Sequence, residues 1–236
     1  MKIPDIISII KGWVAEWRAY LAEFLGTFVF VLIASLAVVV ESLYGGLGIL
    51  GIALAIGFSY AALVFASVHL AGGFLNPALT LALWLSQKLS GTKTVFFIIF
   101  QVLASFAAGG VLLLIFGANA LQFGLGGPVL GINVSLQVAV LTEALMTAGL
   151  VFVTFATMVD RGGPVSFGPL VLGLILVGET IAALPISGAA FNPARAIGPA
   201  VLAKSVDSLA VWIIGPLLGS LVGVVYSLLF LKKSKR

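Results

Sequence analysis

Two short stretches of this 236-residue chain carry its most pointed chemistry. They are Leu70-Ala71-Gly72-Gly73-Phe74-Leu75-Asn76-Pro77-Ala78 and Ile186-Ser187-Gly188-Ala189-Ala190-Phe191-Asn192-Pro193-Ala194-Arg195. In each, a glycine stands four residues before an Asn-Pro-Ala triplet. Asparagine is a preferred N-cap, and proline at the first helical position gives up only an N–H that has no helical partner, so both stretches predict a helix start. A helix start offers hydrogen-bond donors and the positive end of a dipole. One such triplet reads as an ordinary helix start. Two matched copies in a strongly apolar chain point to a shared site, one that would admit neutral hydrogen-bond acceptors and oppose cations.

Over the whole chain, 61% of the residues are hydrophobic and 8% are charged, with a mean hydropathy of +1.26. A soluble domain would cover its surface with charge, so this composition excludes one. Residues 94–142 contain no charged side chain, and 42–87 contain none if His69 is neutral. Each run is long enough for two spans of roughly 20 residues. The sequence predicts an all-α integral membrane protein. Its net charge of +4 is no argument for nucleic acid, because the basic residues sit at span ends and termini. The absence of cysteine excludes disulfides, thiol nucleophiles and cysteine metal sites. One histidine and no clustered acids argue against an enzyme, and no metal or cofactor is expected.

Residues 1–19 mix apolar and charged residues with Trp13 and Trp17, and are read as an interfacial N-terminal segment. Spans are expected over Tyr20–Val40, Ile49–Val68, Thr94–Phe116, Val134–Val159, Phe167–Ala183 and Leu209–Leu231. Pro77–Ser86 and Pro193–Leu202 are expected as short helices of about 15 Å, half of a roughly 30 Å hydrocarbon core. Glu23 in Ala22-Glu23-Phe24-Leu25-Gly26-Thr27 matches Glu143 in Thr142-Glu143-Ala144-Leu145-Met146-Thr147, and each precedes its Asn-Pro-Ala by about fifty residues. One domain over 1–236 is expected: a first repeat over 20–117, an extracellular linker loop over 118–133, a second repeat over 134–231 and a basic tail over 232–236. Three spans per repeat force the halves to insert in opposite senses, with the repeat axis in the membrane plane.

With both termini cytoplasmic, ten basic residues lie on that side and only Arg195 and Lys204 lie elsewhere. Half-length helices cannot span, so their N-termini must lie near the midplane, in protein or along a watery path. Entering from opposite faces, they would meet end to end. Gly215, Gly219 and Gly223 predict close packing of the last span.

The two Asn-Pro-Ala loops, the paired Glu23 and Glu143, the inverted three-plus-three repeat and Arg195 directly after the second triplet resemble the aquaporin (major intrinsic protein) family, over about residues 20–231. That resemblance implies six transmembrane helices plus two half-length re-entrant helices, a pore in each protomer of a homotetramer in the cell membrane, and no catalysis. It implies Asn76, Pro77, Ala78, Asn192, Pro193 and Ala194 as the pore motifs, with the two asparagines donating to the passing molecule. It implies a selectivity filter of Ile56, Thr180, Ala189 and Arg195, and loop bracing by Glu23 and Glu143. Water-selective members commonly carry an aromatic at the position of Ile56 and a histidine at that of Thr180, so a wider filter is expected here. Ala196 and Ala200, by contrast, lack the acidic and basic residues usual in glycerol facilitators. His69 reads equally as a structural histidine or as cytoplasmic pore lining, and Glu179 as a vestibule or protomer-contact residue.

The expected function is passive passage of water and small uncharged solutes such as glycerol, excluding ions and protons. Two alternatives stand beside it: an ion-coupled secondary transporter, which also uses inverted repeats and broken helices, and a strictly water-selective channel. The lipid bilayer, a homotetramer and small neutral solutes are the expected partners.

Overall fold

A computed structural model describes residues 6–163 and 165–231. The first five residues of the expected interfacial segment, Pro164 and the basic tail 232–236 lie outside the described residues. Every described element is helical. The chain runs α1 (Ile6–Tyr44), α2 (Gly48–Ala71), α3 (Pro77–Leu85), α4 (Gly91–Phe116), α5 (Ala118–Leu121), α6 (Leu136–Thr154), α7 (Gly168–Ser187), α8 (Pro193–Leu202), α9 (Val211–Gly219) and α10 (Val222–Leu229). Among the described residues, six segments are long and apolar enough to cross a bilayer: Glu16–Tyr44, Gly48–Ala71, Gly91–Phe116, Leu136–Val159, Gly168–Ser187 and Val211–Leu229. The helices α3 and α8, of 9 and 10 residues, reach only about half-way through a bilayer.

The packing is duplicated. The helix α1 lies on α2 and α4, while α6 lies on α7 and α9; α2 meets α7 across the molecule. The half-helix α8 rests on α4, and α3 rests on α10 and α9. Exchanging the two halves reproduces each of these pairs, which is the inverted repeat. At the α2–α7 crossing the reason is steric. A Cβ added to Gly57 would stand 2.5 Å from the Gly173 carbonyl, and one added to Gly173 would stand 2.5 Å from the same atom of Gly57. Only small residues let these two backbones approach so closely. The glycines of the last span act alike: Gly215 backs onto the Glu143 Cβ and Gly219 onto the Ala144 carbonyl.

Some details differ from expectation. Residues 6–19 do not form a separate segment but continue into the first span as one 39-residue helix, since no proline interrupts it. Tyr20, at the start of the first span, is buried against Phe97 and Phe100. Pro185 lies inside α7, which runs on to Ser187; near a helix end proline forfeits a single bond. The fourth span finishes in a π-helical turn, Phe155–Val159, and the sixth is interrupted at Ser220–Leu221 between α9 and α10.

Candidate functional site

The helix α2 ends at Gly72 and α7 ends at Gly188, both in the left-handed region, at φ 101° and 82°. Glycine takes that conformation without steric cost, which is why each long helix stops there and its loop turns inward. The loops then follow one path. Leu75 and Phe191, immediately before the asparagines, have φ of 51° and 52°. Such backbone in a bulky residue persists only where the surroundings enforce it.

Two carboxylates supply the enforcement. Glu23 Oε1 accepts the Phe74 N–H at 2.9 Å and Oε2 accepts the Leu75 N–H at 2.8 Å. Glu143 Oε1 accepts the Ala190 N–H at 2.9 Å and Oε2 accepts the Phe191 N–H at 2.7 Å. The register is the same in both halves. Each carboxylate takes a third bond, from Gln101 Nε2 at 2.7 Å for Glu23 and from the Ser187 hydroxyl at 2.7 Å for Glu143. Both glutamates are fully buried, where a carboxylate is stable only if its lone pairs are used. All described peptides are trans, so an N–H aimed at a carboxylate turns the preceding carbonyl the opposite way. The carbonyls of Gly73 and Ala189 therefore face away from the glutamates.

The two helix starts meet. Asn76 Oδ1 caps α3 by accepting the Ala78 N–H at 2.8 Å, and Asn192 Oδ1 caps α8 by accepting the Ala194 N–H at 2.9 Å. Each Nδ2 then crosses to the other loop: Asn76 donates to the Phe191 carbonyl at 2.9 Å, and Asn192 donates to the Leu75 carbonyl at 2.8 Å. An amide nitrogen carries two N–H groups. One is spent in this exchange, and the second on each asparagine is left over at the junction. The positive ends of both half-helices point to the same place.

Arg195 lies in the first turn of α8 and is 1% exposed. Its Nη1 donates to the Gly188 carbonyl at 3.1 Å, while Nε and Nη2 have no protein partner. Buried guanidinium donors without partners are rare in folded proteins. Ile56 on α2, Thr180 on α7 and Ala189 in the second loop are all buried, and the Thr180 hydroxyl is also unpartnered. Ala196 and Ala200 are buried as well, Ala196 within an apolar cluster with Val211 and Trp212. His69 is exposed in the last turn of α2. Glu179 is 6% exposed, with Oε1 lying over Gly149 of α6 and Oε2 unpartnered. Its carboxyl is thus held between α6 and α7. Among the described residues there is no group of three or more His, Cys, Asp or Glu placed to hold a metal.

Several residues of the site are not among those expected from the sequence. Gln101 bridges Glu23 and the Thr80 hydroxyl, at 2.7 and 3.0 Å. Ser105 donates to the Ala194 carbonyl and accepts the Gly198 N–H. The Tyr60 hydroxyl donates to the Phe74 carbonyl at 2.6 Å, and the Trp212 indole donates to the Ser187 carbonyl at 2.7 Å. The available signal was a polar side chain inside an uncharged span, as Gln101 and Ser105 are, since such groups need a partner there.

Comparison with known proteins places this geometry. The sequence model of the family described as "Major intrinsic protein" matches residues 11–227. Aquaporin TIP4-4 of Zea mays is 38% identical over 91% of this chain and 87% of its own length. Aquaporin Z of Photorhabdus laumondii is 32% identical over 92% of this chain and 99% of its own length. An aquaglyceroporin structure from Plasmodium falciparum superposes with a TM-score of 0.78, at 21% identity, over 91% of this chain and 96% of that one. The last likeness shows the fold.

Proposed function

The chain belongs to the major intrinsic protein family, a family of channels without catalysis, and on that premise we propose that its pore runs through the junction of the two Asn-Pro-Ala loops. The chain is a passive membrane channel for water and small solutes. Nothing in its family membership supports ion-coupled transport. The observation that carries the pore assignment is the reciprocal pair of bonds, Asn76 to the Phe191 carbonyl and Asn192 to the Leu75 carbonyl.

A permeating molecule meets the spare N–H of Asn76 and that of Asn192 at the centre. A water whose oxygen accepts both has its lone pairs occupied there and cannot accept a proton from a neighbour. The carbonyls of Gly73 and Ala189, turned away from the glutamates, are acceptors for its hydrogens on either side. Glu23 and Glu143 brace the loops from behind. Arg195, with Ile56, Thr180 and Ala189, forms the outer filter, and its unpartnered Nε and Nη2 are donors for the solute. Its charge adds to the two dipole ends against cations. Pro77, Ala78, Pro193 and Ala194 begin the half-helices that hold this geometry, and His69 stands at the cytoplasmic mouth. Ten basic residues against two support cytoplasmic termini in a cell-membrane protein, and a homotetramer is the assembly proposed.

The filter set joins one charge and one hydroxyl to two apolar groups. Glycerol needs width, an apolar wall for its carbons and donors for its hydroxyls, so we assign glycerol-sized neutral solutes as secondary permeants. Strict water selectivity is the competing reading, favoured by the small apolar residues at 196 and 200. Ile56→Phe with Thr180→His is expected to cut glycerol flux more than water flux in proteoliposomes. A wild-type protein that passes water but no glycerol or urea above empty liposomes would decide for strict selectivity.

A further inference from the structure

Away from the loop junction, a cavity of about 890 Å³ opens where α3, the π-helical turn after α6 and α10 all come to an end. Its lining includes Lys88, Val159, Asp160, Arg161, Tyr226 and Phe230. It contains none of the residues assigned to the pore or filter. Lys88 and Arg161 are exposed, and neither has a carboxylate within ion-pairing distance among the described residues, where Lys93–Glu16 is the recorded pair. Among the described residues, the one acid lining the cavity is already engaged. Asp160 Oδ1 accepts the Gly162 N–H at 2.9 Å, and Oδ2 accepts the Tyr226 hydroxyl at 3.3 Å. Those bonds fix the loop that carries Arg161. The cavity is therefore net positive, with both cations free to meet an anion.

The remaining wall is apolar and continuous with the outer surface of the bundle. Phe230 is 57% exposed and follows Leu228 and Leu229, exposed by 79% and 69%. These residues close the last span, so the cavity lies at the level where hydrocarbon gives way to headgroups. A ligand that satisfies both halves of this lining has a negative head rich in acceptor oxygens and a hydrocarbon body.

We propose that this cavity binds the phosphate headgroup of an anionic phospholipid, with Lys88 and Arg161 on the phosphate and an acyl chain along Phe230. Arginine suits the phosphate oxygens by its fork of donors, lysine by its point charge. The site is independent of the pore assignment: it needs only that the chain sits in a bilayer.

The test uses the full chain, purified in a non-ionic detergent, with bound phosphatidylglycerol and phosphatidylcholine measured by native mass spectrometry. Phosphatidylglycerol is expected to bind about tenfold more tightly, a preference that two basic side chains near a membrane surface can supply. Lys88→Gln with Arg161→Gln is expected to abolish that preference, while Lys204→Gln, after the other half-helix, keeps it. Arg161→Gln alone, expected to lose about threefold, serves if the double variant is not recovered. Equal binding of the two lipids by the unmodified chain would overturn the proposal, as would an undiminished preference in the variants. Displacement of phosphatidylglycerol by inorganic phosphate at constant ionic strength would also overturn it, and would assign the cavity to a free phosphate compound instead.

Discussion

Glu143→Gln is expected to yield protein that melts several degrees lower and assembles poorly, while the folded fraction keeps its ratio of glycerol to water flux. The reason is a count of donors. Glu143 accepts three bonds, from Ser187, Ala190 and Phe191, and an amide has one acceptor oxygen. With that oxygen placed on Ser187 and Ala190, the new NH₂ faces the Phe191 N–H, and a buried donor is left unpaired. That costs about 1–3 kcal/mol, before the loss of charge assistance is added. Phe191 is also the residue held at φ 52°, and its carbonyl receives the Asn76 side chain. The fault therefore spreads from one half of the site to the other. Glu23→Gln is expected to behave alike, with the Phe74 N–H orphaned. Unchanged melting temperature and oligomer yield in both variants, by fluorescence-detected size exclusion, would show that the loops are held by other contacts.

Arg195→Val is expected to keep water permeation and to admit a cation or proton leak at least tenfold above that of the unmodified protein. A unit charge about 4 Å from a guanidinium, at an effective dielectric of about 20, is opposed by up to about 4 kcal/mol. Valine removes that barrier and leaves the dipole ends of α3 and α8, roughly half a charge each. The variant also removes the bond to the Gly188 carbonyl, which frees another acceptor beside the filter. Voltage-clamped planar bilayers or a pH-sensitive dye in proteoliposomes would read the leak. A leak no greater than that of the unmodified protein would assign the barrier to the helix ends alone.

Much of the architecture was legible because its signals are local and occur twice. Asn76-Pro77 and Asn192-Pro193 encode their caps in adjacent residues, and α8 spans the expected Pro193–Leu202. Gly72 and Gly188 mark where two long helices stop. What could not be read was partnership across the fold. Gln101 lies 78 residues from Glu23, and Ser105 lies 89 from Ala194. Either could have satisfied itself on its own helix, as Thr154 does on the Leu150 carbonyl. Charge and aromatic residues before Tyr20 mark an interface in the sequence, yet a helix can cross an interface without breaking. The position of Glu179 is likewise set across the fold: the absence of a side chain at Gly149 gives its carboxyl a place between α6 and α7.

The proposed crossing point for neutral molecules is the junction where Asn76 and Asn192 exchange bonds. Stopped-flow light scattering of proteoliposomes, under water and glycerol gradients in turn, tests it most directly when the unmodified chain is compared with Asn76→Leu plus Asn192→Leu. Leucine is close in size but removes both spare donors and both cross-loop bonds. Water permeability well above empty liposomes is expected for the unmodified chain, with a slower glycerol flux also above that baseline, and loss of both in the reconstituted double variant. Water flux at the level of empty liposomes for the unmodified chain, or undiminished flux in a correctly folded double variant, would contradict it.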